Sequence, residues 1–167
     1  QYNFECNFLV NISKGMYTYG HWKSPWQFNP EEWYGFVYRI HDLDCNRYYI
    51  GKKQLLSRQR KKISGRKNRK IVYKPTNWES YTGSSKSLNE AIESNGKDRF
   101  EFYIESLHES KGSLYYGEVL LQIQEDVLRA KMENGEYKYY NGLIAPVKFR
   151  PPDFTEKELQ HNVWFRG

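Results

Sequence analysis

A chain of 167 residues with 38% hydrophobic and 17% aromatic content is long enough for one domain whose core relies on rings, and too apolar for a disordered one. No run approaches the ~20 apolar residues of a membrane span, and the opening QYNFECNFLVNISKG lacks the order of a secretory signal, so a soluble, intracellular protein is expected. The net charge of +6 makes an anionic partner plausible without naming one, and Cys6 and Cys45, with no metal-ligand spacing and no disulfide framework around them, read as reduced thiols.

Residues 1–34 read as an irregular, aromatic-rich N-terminal extension that packs on the domain through Trp22, Trp26, Phe28 and Trp33. Asn29-Pro30-Glu31-Glu32 carries a helix start, with Asn as N-cap and Pro at the first helical position. A β-hairpin follows. Phe36, Tyr38 and Ile40 share a strand face by the period-two rule, residues 41–47 supply a polar turn, and Tyr48 to Gly51 return antiparallel. From Lys52 to Lys74 there are eleven Lys or Arg and no acidic residue, whereas the rest of the chain holds 15 basic and 20 acidic side chains. Either a solvated loop or a phosphate-contacting surface fits such a run. Its first part, Gln54 to Lys62, is expected to form a short basic helix.

Ser87-Leu88-Asn89-Glu90 is a capping box for a helix over 87–95, with Leu88, Ala91 and Ile92 inward and Gly96 closing it. FEFYIESL, residues 100–107, predicts a third strand. The longest helix is expected over 112–131. It carries one apolar stripe of Tyr116, Val119, Leu120, Ile123 and Val127 and another of Leu114, Leu121 and Leu128, as if buried between two layers. The tail, 145–167, is irregular after Pro151-Pro152, with a short helical turn at Thr155 to Glu158.

Phe36-Val37-Tyr38 and Tyr49-Ile50-Gly51, their tyrosines eleven positions apart, resemble the paired motif of the GIY-YIG nucleases. YIGKKQLLSRQRKK, NWESYTGSSKSLNEAIESNGKDRFEFYIESL, YYGEVLLQ and YYNGLI extend the likeness over residues 35–144 to the SegE-type branch, known from phage homing endonucleases. Phe36 and Val37 replace the Gly and Ile of the first half-motif, where backbone shape and the tyrosine carry the role. The resemblance implies an α/β (α+β) domain, a small antiparallel three-stranded sheet flanked by helices. It also implies hydrolysis of phosphodiesters in double-stranded DNA with one Mg²⁺ (or Mn²⁺), in the cytoplasm of a bacterial or phage-infected cell.

Attack of water on a phosphodiester needs a base, a cation near the phosphate and donors for the developing charge. Under the resemblance Tyr38 is the candidate base and Tyr49 its helper, with Lys52 and Lys53 expected to lower a phenol's pKa and Lys53 a partner for Tyr38. Without it, paired strand tyrosines are simply cross-strand packing. Arg58, on the basic helix, is the candidate stabiliser of the transition state, with Arg60 as rival. Glu118 is the implied metal ligand, and Mg²⁺ completes its shell with water and phosphate oxygens. Asn141 is an implied supporting residue, and otherwise a turn residue. Ser84 and Ser85 stand where some members place a histidine; Trp78 and Tyr81 read either as stacking on a base or, more simply, as packing under the Gly83-Ser84-Ser85 turn. Lys52, Arg60, Lys61, Lys62, Arg66, Lys67, Arg69 and Lys70 are the candidate DNA contacts. Three other readings stay open. A compact restriction enzyme would share the chemistry, a silent nucleic-acid-binding module would need the basic segment but not Glu118, and an RNA-directed protein would use similar backbone contacts. Oligomeric state is not legible.

Overall fold

The computed structural model describes residues 15–164; Cys6 and the start of the extension lie outside them. The main sheet has five strands: β1 (Tyr17–Tyr19), β2 (Trp22–Ser24), β3 (Gly35–Asp42), β4 (Arg47–Gln54) and a later strand, Phe100–His108, labelled β7 below. Their spatial order is β1-β2-β7-β3-β4. The mixed α+β class expected from the sequence is observed, but the sheet has five strands, not three. The two additional strands come from the extension read as irregular. Trp22 explains why they stay: it is wholly buried, its ring centroid lies 4.8 Å from that of Tyr38 and 5.1 Å from that of Phe36, and its indole N–H donates to the Trp78 carbonyl at 2.6 Å. A single indole thus ties the extension into the core, where its large apolar area outweighs the weak strand signal around it.

The hairpin pairs β3 with β4 from Gly35↔Gln54 to Asp42↔Arg47. Phe36, Tyr38 and Ile40 bury on one face, against Trp22, Trp78 and Leu88; Val37 and Ile50 bury on the other, against Leu114 and Leu121. Asn29 caps its 3₁₀ turn as expected, accepting from Glu31 N at 3.1 Å.

The basic segment is not a helix. It forms β5 (Leu56–Lys61) and β6 (Lys70–Pro75), an antiparallel ribbon of six residue pairs from Leu56↔Pro75 to Lys61↔Lys70. In a helix Arg58, Lys61 and Lys62 would crowd like charge at three- and four-residue spacings. On a strand Arg58 and Lys61 point to opposite faces, and Ile71-Val72-Tyr73 provides a strand-forming partner.

Helix α1 (Lys86–Asn95) is capped by Ser85, two residues before the expected cap, whose side chain accepts from Leu88 N at 3.3 Å. Gly96, at φ +85°, ends it. β7 is Phe100–His108. Helix α2 (Lys111–Gln124) is shorter than expected and buries one side only. Leu114 and Leu121 face the sheet with Glu118, while Tyr116 and Ile123 of the presumed main stripe are exposed. The left-handed Asp126, φ +50°, turns the chain so that Val127 folds back into the core. Helix α3 (Glu156–Gln160) has the expected cap at Thr155 and Glu158. Its Glu158 reaches beneath α2, bonding Ser113 Oγ and the Glu109 amide, the latter at 3.0 Å.

Candidate active site

Strand β4 is an edge of the sheet, and the site forms around that edge. Pairing sets Tyr38 opposite Gly51, Ile40 opposite Tyr49 and Phe36 opposite Lys53, so Tyr38, Tyr49, Gly51 and Lys53 share one face, while Ile50 and Lys52 turn toward α2. Tyr38 is buried. A Cβ built on Gly51 would lie 2.6 Å from Tyr38 Cζ, and one on Gly83 3.2 Å from its hydroxyl. The glycine of the second half-motif is therefore the clearance through which the Tyr38 hydroxyl is seated. Tyr49 Oη lies 3.2 Å from Ser84 Oγ. Lys53 donates to Asn77 Oδ1 at 3.0 Å and stands 4.0 Å above the Tyr81 ring.

On the other face Lys52 Nζ donates to Glu118 Oε1 at 2.6 Å, and Glu118 is only 6% exposed. Beyond the hairpin's turn, the open edge of β4 is covered by the segment before Asn141. Tyr48 N donates to Lys138 O at 2.9 Å, and Tyr140 N to Tyr48 O at 2.7 Å. Asn141 then clasps the Ile50 peptide, Oδ1 accepting from Ile50 N at 3.0 Å and Nδ2 donating to Ile50 O at 2.8 Å. A side-chain amide here does the work of a neighbouring strand at a sheet edge. A cleft of about 340 Å³ opens beside it, lined among others by Tyr49, Lys52, Ser84, Glu118, Gln122 and Asn141.

The fold thus brings Tyr49, Glu118 and Asn141 into one cleft, with Lys52 beside them and Tyr38 directly behind Tyr49, ring centroids 6.2 Å apart. Residues 19–144 match the family model described as "Putative endonuclease segE, GIY-YIG domain". The chain belongs to this GIY-YIG endonuclease family. No curated protein and no solved structure matches it. The family match begins before the hairpin, at residue 19, and so takes in β2 of the extension.

Electrostatics in this GIY-YIG cleft run against the expected effect of the lysines. Burial raises the Tyr38 phenol well above its ordinary pKa, and the neighbouring Tyr49, Tyr81 and Glu118 raise it further. Lys52 and Lys53 cannot offset this, because their ammonium groups are turned to Glu118 and Asn77. Burial also raises Glu118, with the Lys52 hydrogen bond pulling the other way, and lowers Lys53. Burial penalises whichever form carries charge, so an acid rises and an amine falls in the same surroundings.

The arginines are placed apart. Arg58 and Arg60 stand exposed on the ribbon and outside the cleft lining, contrary to the expected helix. Lys61, Lys62, Arg66, Lys67, Arg69 and Lys70 are exposed on the ribbon or its tip. Of the eight candidate DNA contacts only Lys52 lies in the cleft. Trp78 packs in the core, and Tyr81 packs at its margin.

Among the described residues no group of three or more His, Cys, Asp or Glu side chains could hold a metal ion. The donors present nonetheless fit one hard cation. Glu118 is a buried carboxylate that already pairs with one cation, the Lys52 ammonium. One turn along α2, Gln122 donates to Ile50 O at 3.0 Å, which leaves its own Oε1 buried without a hydrogen bond. Two oxygens of this kind, completed by water and phosphate, match what Mg²⁺ accepts. Sequence reasoning missed Gln122; its four-residue spacing from Glu118 was the available signal.

Proposed function

We propose that this GIY-YIG domain is a Mg²⁺-dependent endodeoxyribonuclease of the homing-endonuclease kind, acting on double-stranded DNA in the cytoplasm of a bacterial or phage-infected cell. The observation that carries this reading is the convergence at the β4 edge of Tyr49, Asn141 and the buried Glu118–Lys52 pair, with the seated Tyr38 hydroxyl behind them. No helix among the described residues is long and apolar enough to cross a membrane.

In this reading Glu118 and the Gln122 carbonyl oxygen would hold Mg²⁺. Bound there, Mg²⁺ supplies positive charge to the phosphate oxygens and to the nearby phenol, as a Lewis acid does in phosphodiester hydrolysis. Tyr38 first gives its own proton to solvent and, as the phenolate, holds the attacking water and takes its proton. Tyr49, tied to Ser84, orients the scissile phosphate. As the water oxygen bonds to phosphorus, the bond from phosphorus to the leaving sugar oxygen breaks, and that oxygen takes a proton from solvent. Lys52, displaced from Glu118, becomes free to donate to a non-bridging phosphate oxygen, and Arg58 approaches from the ribbon as the guanidinium donor for the transition state. Asn141 keeps β4 in register by clasping Ile50, so the tyrosines and Glu118 hold their spacing.

The test is nicking and linearisation of supercoiled plasmid by the native protein with Mg²⁺ and with EDTA, beside Glu118→Ala, with DNA binding measured in parallel. Metal-dependent cutting that Glu118→Ala loses while still binding supports the reading. Binding by both proteins with no cutting by either on any DNA would replace it with a silent binding module.

A further inference from the structure

The β5–β6 ribbon has no role in that chemistry beyond Arg58, yet it carries most of the excess charge. From Leu56 to Pro75 it holds nine Lys or Arg and no acidic residue. Beyond its root it is exposed on both faces; from Arg58 to Lys61 and from Lys70 to Lys74 only Val72 is half-buried. A two-stranded ribbon alone in water is marginally stable. An exposed one of this composition presents a strongly positive surface to which an anionic partner is complementary.

We infer that this ribbon enters the major groove of B-form duplex DNA and reads base edges there, with the Arg60 and Ile71 face toward the groove floor. The inference rests on the nuclease reading for its partner and adds the mode of engagement. The faces differ in character. Cross-strand pairing puts Arg58 with Tyr73 and Arg60 with Ile71 on one face, and Ser57 with Lys74, Gln59 with Val72 and Lys61 with Lys70 on the other. The first face mixes guanidinium groups with two exposed apolar side chains, Ile71 at 42% and Tyr73 at 61% exposure. Toward the far end of that face the mixture suits bases, because Arg60 can donate in pairs to guanine O6 and N7 and Ile71 can meet a thymine methyl, while Arg58, nearer the root, is left to the scissile phosphate. The second face and the tip carry compact charges for phosphates. At the tip Arg66, Lys67, Arg69 and Lys70 line one hollow of about 580 Å³.

Dimensions select the groove and the nucleic acid. Six residue pairs span roughly 20 Å at the usual strand rise. A B-form major groove about 12 Å wide admits a two-stranded ribbon as it stands, whereas the minor groove, about 6 Å wide, takes one only when the duplex is bent and widened. The deep, narrow major groove of A-form RNA is closed to it. Position then links the ribbon to the cleft. Its root is fastened by Thr76 N to Leu55 O at 3.0 Å and Thr76 Oγ1 to Gln54 O at 2.6 Å. The residues flanking that root, Lys53 and Asn77, are hydrogen-bonded to each other beside Tyr81. A duplex seated on the ribbon is thereby held at a fixed offset from Tyr38 and Glu118.

The experiment measures binding only, on the Glu118→Ala protein, so it stands whether or not the native chain cuts. A labelled mixed-sequence DNA duplex and the RNA duplex of the same sequence are titrated by anisotropy, then challenged with methyl green, a major-groove ligand, and netropsin, a minor-groove ligand. The exposed double substitution Arg60→Ser with Ile71→Ser is compared at equal thermal stability. We expect displacement by methyl green and not by netropsin, RNA binding weaker by about tenfold or more, and a loss of DNA affinity of at least about tenfold in the double variant. Displacement by netropsin, equal affinity for the RNA duplex, or unchanged DNA binding by the double variant would each overturn the inference. Failure of the plasmid assay alone would remove the nuclease reading and leave groove engagement standing.

Discussion

Lys52 Nζ lies 2.6 Å from Glu118 Oε1, on a carboxylate that burial would otherwise push toward its neutral form. The ammonium therefore favours the ionised form of Glu118 against the larger effect of burial, and also competes for it with a divalent cation. Replacing the lysine removes both effects. Lys52→Met is expected to bind Mn²⁺ more tightly than the native protein above pH 8, by roughly tenfold, the scale of one pKa unit of coupling. As pH is lowered from 8 to 4 the gap narrows without reversing, because protons come to compete with the metal for Glu118 in both proteins and do so sooner where the lysine is gone. Calorimetric Mn²⁺ titration across that range checks it, with Glu118→Gln as the protein that should lose the binding.

A phenol held above its ordinary pKa by burial is a poor base at rest. If Tyr38 takes the water's proton, nicking by the native protein rises steadily from pH 6 to pH 9 with no plateau. Tyr38→Phe loses ~100-fold or more in rate, the range of general-base catalysis, and its residual rate no longer follows pH. Tyr49→Phe, whose hydroxyl meets Ser84, keeps the pH slope at a lower rate. Single-turnover nicking at saturating Mg²⁺ separates these outcomes. Loss of turnover in Tyr49→Phe alone would reassign the base.

How much of this was legible in the sequence depends on whether a feature is local. The hairpin, α1 and the α3 cap follow period, turn chemistry and capping residues, all short-range signals, and each formed within two or three residues of its expected place. The ribbon did not, because the partner that makes Leu56 to Lys61 a strand is β6, beyond an eight-residue connection. The strands of the extension stayed hidden for a similar reason: Trp22 draws its stability from Trp78, Phe36 and Phe102, all distant in the chain. In the site, the spacing of the two tyrosines was visible, but the cleft depends on Glu118, Gln122 and Asn141 meeting the two sides of one edge strand. Nothing within β4 itself announces that Ile50 takes its outer hydrogen bonds from side-chain amides.

Gly51 is a sharp test of that packing. Any side chain there collides with the Tyr38 ring and hydroxyl, and Tyr38 is a rigid, buried residue that cannot move aside. Gly51→Ala is expected to cost about 1–3 kcal/mol of stability, as overpacked cores do, and to abolish nicking. Adding Tyr38→Phe removes the hydroxyl, the nearest of the colliding atoms, and should return part of the stability without the activity. Urea unfolding of the two single variants and the double variant measures the coupling. Strict additivity would mean that the two residues do not meet.

Glu158 is one of two buried carboxylates among the described residues, with Asp42, whose ionised form the fold holds below the usual range and which therefore couple stability to acid. Burial opposes its ionisation, yet hydrogen bonds from His108, Ser113 and the backbone of Thr155 and Glu109 hold its pKa at about 2, below the ordinary 4.5. A carboxyl with a depressed folded-state pKa stabilises the fold fully above its unfolded pKa, and that contribution fades as pH falls toward the folded value. The native melting temperature should therefore be insensitive to this group above pH 5 and fall between pH 4.5 and about 2. Glu158→Gln keeps the shape but cannot accept as many hydrogen bonds at once. It is expected to melt lower at pH 7, by the ~1–3 kcal/mol of a buried polar group left short of a partner. Its melting temperature should change less with acid than that of the native protein, so the two curves converge toward pH 2. Curves that stay parallel from pH 7 to pH 2 would show that the tail is not fastened through this carboxylate.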